Sequence, residues 1–182
     1  SPHLEIFKKK DIEVILLGDR VDEWMIASLP EFSGKKLQSI AKGDLDLGKL
    51  EDKKEKDKKK KIEDDAKNLV EKIKESLGDK VAEVKVTHRL TDSPACLVVG
   101  ENDISGNLER ILKAAGQNTP DIKPILEINP EHDLIKKLDS YQGKKEFNEY
   151  SSVIFDQALL SEGGQLEDPV SFIKKINHLL VK

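Results

Sequence analysis

Between Val81 and Gln117 the period of apolar positions changes twice. Val84, Val86, His88 and Leu90 alternate with Lys85, Thr87 and Arg89, the two-residue period of a strand with one buried face. Thr91-Asp92-Ser93-Pro94 supplies turn chemistry, and Ala95 to Val99 reads as the return strand. Ile104, Leu108, Ile111, Leu112 and Ala115 then follow at helical spacing and form one apolar stripe, with Asn102 placed to cap the helix and Gly116 to end it.

The chain before this stretch opens as a short helix at Ser1-Pro2, followed by a near-continuous apolar run, Ile12, Val14, Ile15, Leu16 and Leu17, which reads as a strand covered on both faces. Asp19 is placed to cap a second helix whose buried side carries Val21, Met25 and Leu29, and Pro30 stops it. Gly34 to Ala41 is a weaker strand candidate, so residues 1–47 read as a small α/β unit. Lys49 to Lys61 has one apolar residue, Leu50, and reads either as a flexible connector or as the solvated start of a helix. From Ile62 the helical period returns through Ala66, Leu69, Val70, Ile73 and Leu77, with Gly78 as the stop.

After the central stretch come a third short strand, Pro124 to Ile128, and a helix opened by Asn129-Pro130. Two further helices, over about 144–161 and 168–181, are joined by Gly163-Gly164 and an Asp168-Pro169 start, which predicts an antiparallel hairpin. Phe147, Tyr150, Val153, Ile154, Phe155, Leu159 and Leu160 in the first, and Phe172, Ile173, Ile176, Leu179 and Leu180 in the second, spread over a wide arc that needs partners on more than one side. Two such hairpins closing a four-helix bundle around a two-fold axis, or packing on the chain's own sheet, satisfy that need equally well.

Composition narrows the functional classes. Of 182 residues 36% are charged and only 4% aromatic, which describes a surface-rich soluble chain with a thin aliphatic core in one or two domains. The net charge of -4 and the acids mixed into the lysine run argue against nucleic-acid binding. No apolar stretch reaches the length of a membrane span. Cys96 is the only cysteine, which excludes an internal disulfide and points to a reducing compartment, the cytoplasm. The start at Ser1 rather than Met suggests a piece of a longer protein.

Catalytic chemistry is not evident. His3, His88, His132 and His178 fall in different elements, none with a second ligand at metal spacing, and no phosphate-cradling glycine loop or nucleophile elbow occurs. Cys96 reads as core volume. Glu23, Trp24 and Ala27 form one patch by their spacing of three and four, and Trp24 is the only tryptophan. A binding and dimerisation module fits better than an enzyme.

The segments SPHLEIFKKKDIEVILLGDRVDEWM, VTHRLTDSPA, AAGQ, LEINPEHDLIKKL and DQALLSEGGQLEDPVSFIKKINHLLV, in this order, closely resemble the C-terminal part of bacterial members of the ninety-kilodalton heat-shock chaperone family. The resemblance implies that residues 1–47 end the middle domain, that 48–61 are a charged linker or helix start, and that 62–182 form the C-terminal dimerisation domain. The fold class it implies is α+β: a small α/β subdomain, then a mixed α/β domain with a three-stranded sheet and a helical hairpin that joins an intersubunit four-helix bundle. It places client contacts at Glu23, Trp24 and Ala27 and at Ile104, Leu108, Ile111 and Leu112. It also assigns Ile154, Leu159, Leu160, Phe172, Ile173, Ile176, Leu179 and Leu180 to the dimer interface. ATP and Mg would bind in an N-terminal domain outside this chain, which itself would hold no cofactor or metal and hydrolyse nothing. Implied partners are a second copy and unfolded clients, with co-chaperones of the bacterial folding network as further candidates. The competing reading is an assembly domain with no client site of its own.

Overall fold

The computed structural model describes residues 1–19, 21–44, 53–120 and 122–181, with side chains other than those of residues 27 and 53–56. The domain boundary expected at residue 47 and the first residues of the 48–61 segment lie outside the described residues. The fold is mixed α and β, seven α-helices and two small sheets among those residues.

The organising strand is the last one in the sequence. Three strands, β3 (Glu83–Val86), β4 (Ala95–Val98) and β5 (Ile125–Ile128), form one sheet in the order β3-β5-β4, with β3 parallel and β4 antiparallel to the centre. The expected hairpin between β3 and β4 therefore does not form. Thr87 N–H donates to the carbonyl of Ile128 and Asn129 N–H to that of Pro94, so β5 lies between the two. A central strand has both edges paired and both faces covered, which suits the largely apolar sequence of β5.

Alternation then sorts the sheet into two faces. Ala95 and Leu97 of β4 and Leu126 and Ile128 of β5 turn toward the main core, where Leu69, Ile73 and Leu77 of α3 (Lys53–Leu77) and Tyr150, Ile154 and Ala158 of α6 (Glu146–Ser161) cover them. Ile135 and Leu138 of α5 (Asp133–Asp139) and Leu179 of α7 (Pro169–Leu180) complete that core. Helix α3 shows that residues 53–61 are helical, and it ends where Gly78 takes a positive φ of 55°. Lys74 Nζ reinforces the end by donating to the carbonyls of Gly78 and Val81.

The other face is small and polar at its centre. Cys96 and Val98 of β4 cluster with Leu90. Beside them Glu127 pairs with Arg89, Nε to Oε2 at 2.6 Å, with side chains only 4% and 1% exposed. Alternation predicts Arg89 on the outer side with Lys85; in fact the strand ends at Val86, and the chain turns Arg89 inward. Its guanidinium also donates to the carbonyls of Ile40 and Gly43, at 2.5 and 2.9 Å. Burial and the Glu127 charge push the Cys96 thiol up, so it fills space rather than reacting.

Residues 1–44 lie partly on this second face. A 3₁₀ turn over Pro2–Leu4 leads into α1 (Glu5–Lys9), and Ile6 N–H donates to the Arg89 carbonyl. The Glu5 carboxylate accepts from the backbone N–H groups of Thr91, Asp92 and Ser93, at 2.6, 2.8 and 3.2 Å, and from the Ser93 hydroxyl. Burial works to raise its pKa, but these donors outweigh it and hold the group below its ordinary 4.5. A lowered carboxylate pKa adds stability that is complete above the ordinary value and is lost as pH falls through the folded-state value. Glu5→Gln is therefore expected to flatten the acid limb of stability against pH, read by urea titrations from neutral pH to about 3.

Several local expectations are corrected here. Residues 12–17 form no strand among the described residues, and Ile15, Leu16 and Leu17 are exposed. An apolar run becomes a strand only where it pairs with another, and among the described residues neither sheet takes this one in. Instead of a strand over 34–41, β1 (Glu31–Phe32) and β2 (Lys35–Lys36) make a small hairpin whose turn residues Ser33 and Gly34 both have positive φ, 50° and 74°. Helix α2 (Asp22–Ser28) starts later than expected, and Asp19 N–H donates to the Asp22 carboxylate rather than the reverse. In Asn129-Pro130 the asparagine shapes a turn by accepting from Glu131 N–H, and His132 caps α5 by accepting from Leu134 N–H. The Asp168-Pro169 start of α7 holds as expected, with Ser171 N–H donating to Asp168 at 2.9 Å.

Candidate functional site

Helix α4 (Gly106–Ala114) is capped by Ser105, not Asn102: the Ser105 hydroxyl accepts from Leu108 N–H at 3.0 Å. Asp103 uses its carboxylate on Gly100 N–H, which shapes the approach to the helix. Ile104, Leu108, Ile111 and Leu112 are each half-buried, none is fully buried, and none joins either core cluster. Ala115 is exposed. The stripe thus lies outside both core clusters, and each of its four side chains keeps only part of its surface accessible.

Trp24 is 51% exposed on α2, and Met25, Val21, Leu29 and Phe32 around it are exposed as well. With Ile15, Leu16 and Leu17 they give this part of the chain a large apolar surface of the kind that marks interaction sites. Ala27 falls outside the described side chains.

The two elements meet through Glu23. The Ser105 hydroxyl lies 2.9 Å from both Glu23 carboxylate oxygens, and the Asn107 side-chain amide donates to Oε1 at 3.0 Å. Arg110 in turn donates to the Asn107 carbonyl oxygen at 2.9 Å. Sequence spacing groups Glu23 with Trp24 and Ala27 but holds no sign of Ser105 or Asn107, which lie more than eighty residues away along the chain.

The hairpin residues separate by environment. Ile154 and Leu179 are buried in this chain's own core, and Leu159, Phe172 and Ile176 pack against it from its edge. Leu160, Ile173 and Leu180 are exposed at 44%, 56% and 78%, and Val170 and Val181, which the pattern does not single out, are exposed beside them. Val170, Ile173 and Leu180 recur at three and seven, so they share one face of α7. Helix α7 therefore has one apolar side turned to α6 and another turned outward.

The chain belongs to the Hsp90 family, since the family model described as Hsp90 protein matches residues 1–182. It is 62% identical over 181 residues to a protein named Chaperone protein HtpG from Nitrosospira multiformis and 60% identical over 181 residues to one of that name from Nitrosococcus oceani. A third, from Nitrosomonas europaea, is 58% identical over 182 residues. All of this chain is matched in each case, but it spans only 28% of the length of these curated relatives.

Proposed function

We propose that the chain is the dimerising and client-holding part of a chaperone whose ATP and Mg site lies in a portion of the protein outside this chain. The observation that carries the reading is the helical stripe Ile104, Leu108, Ile111 and Leu112, which joins neither core cluster and whose helix start is tied through Glu23 to the helix bearing the exposed Trp24. Names of the relatives support the chaperone class. Residues 1–47 then act as the end of a middle domain and 62–182 as the dimerisation domain, with 48–61 between them. A second copy would cover the outward face of α7, and the two-fold axis would set two client surfaces across a shared cleft. Weak contacts from both arms hold one non-native chain, so avidity replaces tight binding at any single point. The compartment is the cytoplasm, and the partners are client proteins and the twin subunit.

Replacing Leu108 and Leu112 together with serine tests this. Removing two half-buried aliphatic side chains takes about 1–3 kcal/mol from a client contact and less from the fold, so binding of a permanently unfolded protein is expected to weaken at least about fivefold. Circular dichroism and the urea midpoint are expected to stay near wild type. Unfolding of this variant would place the stripe in the core, and unaltered binding would leave an assembly domain with no client site.

A further inference from the structure

We propose that Glu23 is a positioning residue that joins the Trp24 patch to α4, so that both apolar elements act on one extended segment of a non-native chain. The inference rests on the client-holding function proposed above and adds how its surface is assembled. A carboxylate has about four acceptor positions. At Glu23 these face the Ser105 hydroxyl, which stands 2.9 Å from both oxygens, and the Asn107 amide at 3.0 Å, all within the chain. The Ser105 and Asn107 hydrogens tie the carboxylate to the start of α4, whereas Trp24, next in sequence, keeps half of its surface open.

The chemistry of the joint also favours this role. Ser105 is used twice, accepting from Leu108 N–H as the cap of α4 and facing Glu23 with its own hydroxyl hydrogen. A negative charge at the first turn of a helix is further stabilised by the helix dipole. Glu23 thus fastens the N-terminal end of α4, the helix that carries Leu108, Ile111 and Leu112, and it sits in the first turn of the helix that carries Trp24. Two weak apolar sites held at a set separation bind a segment that spans both far better than either binds alone, and breaking the joint removes that gain without touching an apolar side chain.

The test uses the whole 182-residue chain with two probes: carboxymethylated α-lactalbumin, which stays unfolded and is long enough to span both elements, and an apolar hexapeptide that covers only one. Glu23→Ala is expected to weaken binding of the long probe by about tenfold and leave the hexapeptide unchanged, since only the long probe uses the joint. Ser105→Gly with Asn107→Ala should match that loss, glycine being chosen because it is tolerated at a helix cap. Adding Glu23→Ala to this pair should cost nothing more, and Glu23→Gln, which can still accept from the hydroxyl, should restore most of the affinity. Equal losses for both probes, additive losses, or an unaltered long probe with Glu23→Ala would each overturn the assignment. The Leu108→Ser, Leu112→Ser variant separates the two readings: if it weakens the long probe while Glu23→Ala does not, only the joint is wrong, and if it binds as wild type, both fall. Urea midpoints of all variants exclude loss of fold as the cause.

Discussion

Arg89→Ala is expected to remove about 3–5 kcal/mol of stability, the range for leaving one member of a buried ion pair without its partner. Glu127 is almost fully buried and would be left without the guanidinium, and the carbonyls of Ile40 and Gly43 would lose their donor. Urea denaturation reads the loss directly. The matching replacement Arg89→Met with Glu127→Leu is expected to lie close to wild type in the same titration, because shape is kept and no charge is stranded. It would still free the 40–43 segment, so hydrogen exchange at Gly43 N–H, which donates to Val99 at 2.9 Å, should accelerate in both variants. A small effect of Arg89→Ala would mean that water reaches the site and takes over its hydrogen bonds.

The second large effect concerns assembly. Ile173→Asp with Leu180→Asp is expected to give monomers, because each substitution places a charge on the outward face of α7 and a two-fold axis counts it twice. At about 2 kcal/mol for each apolar side chain withdrawn from the interface, with further cost for an unpaired carboxylate, the dissociation constant rises by at least roughly a thousandfold. Sedimentation equilibrium measures it. Ile173 and Leu180 are exposed in the isolated chain, so the far-ultraviolet spectrum of the monomer should be unchanged. Ile176→Asp would be a poorer test, since Ile176 packs against the chain's own core and its replacement mixes folding with assembly. An unaltered dimer would move the twin interface away from α7.

What the pattern of residues makes legible follows from how far each signal reaches along the chain. Helices with a one-sided stripe and a local stop, such as Ala66 to Leu77 before Gly78, appear where expected because all their information is within one element. Strand pairing is different. Nothing near Val84 or Leu97 says that Leu126 will stand between them, and the hairpin expected from Thr91-Asp92-Ser93-Pro94 does not form for that reason. The run from Ile12 to Leu17 departs in the opposite sense: its composition asks for a strand, but no sheet edge among the described residues meets it.

The candidate site divides in the same way. Helical spacing is enough to find the stripe on α4, and its half-exposure is a property only the fold can add. Glu23 groups by spacing with its helix neighbours, yet its carboxylate is engaged by a serine and an asparagine from the start of α4. Arg89 falls on the solvent side by alternation and lies inside, opposite the one acid of an otherwise apolar strand. That acid is the available clue, since a carboxylate in the middle of ILEI has to find a cation.

The central position of β5 also has a bearing on how the chain is made. When β3 and β4 leave the ribosome they have no partner, and the strand that joins them is complete only at Ile128, well after β3 begins at Glu83. Until then the apolar faces of α3, β3 and β4 stand open together, and pairing across so long a loop is slow. The growing polypeptide therefore passes through a sticky, unzipped stage of its own, the very kind of state that its finished surface is proposed to hold.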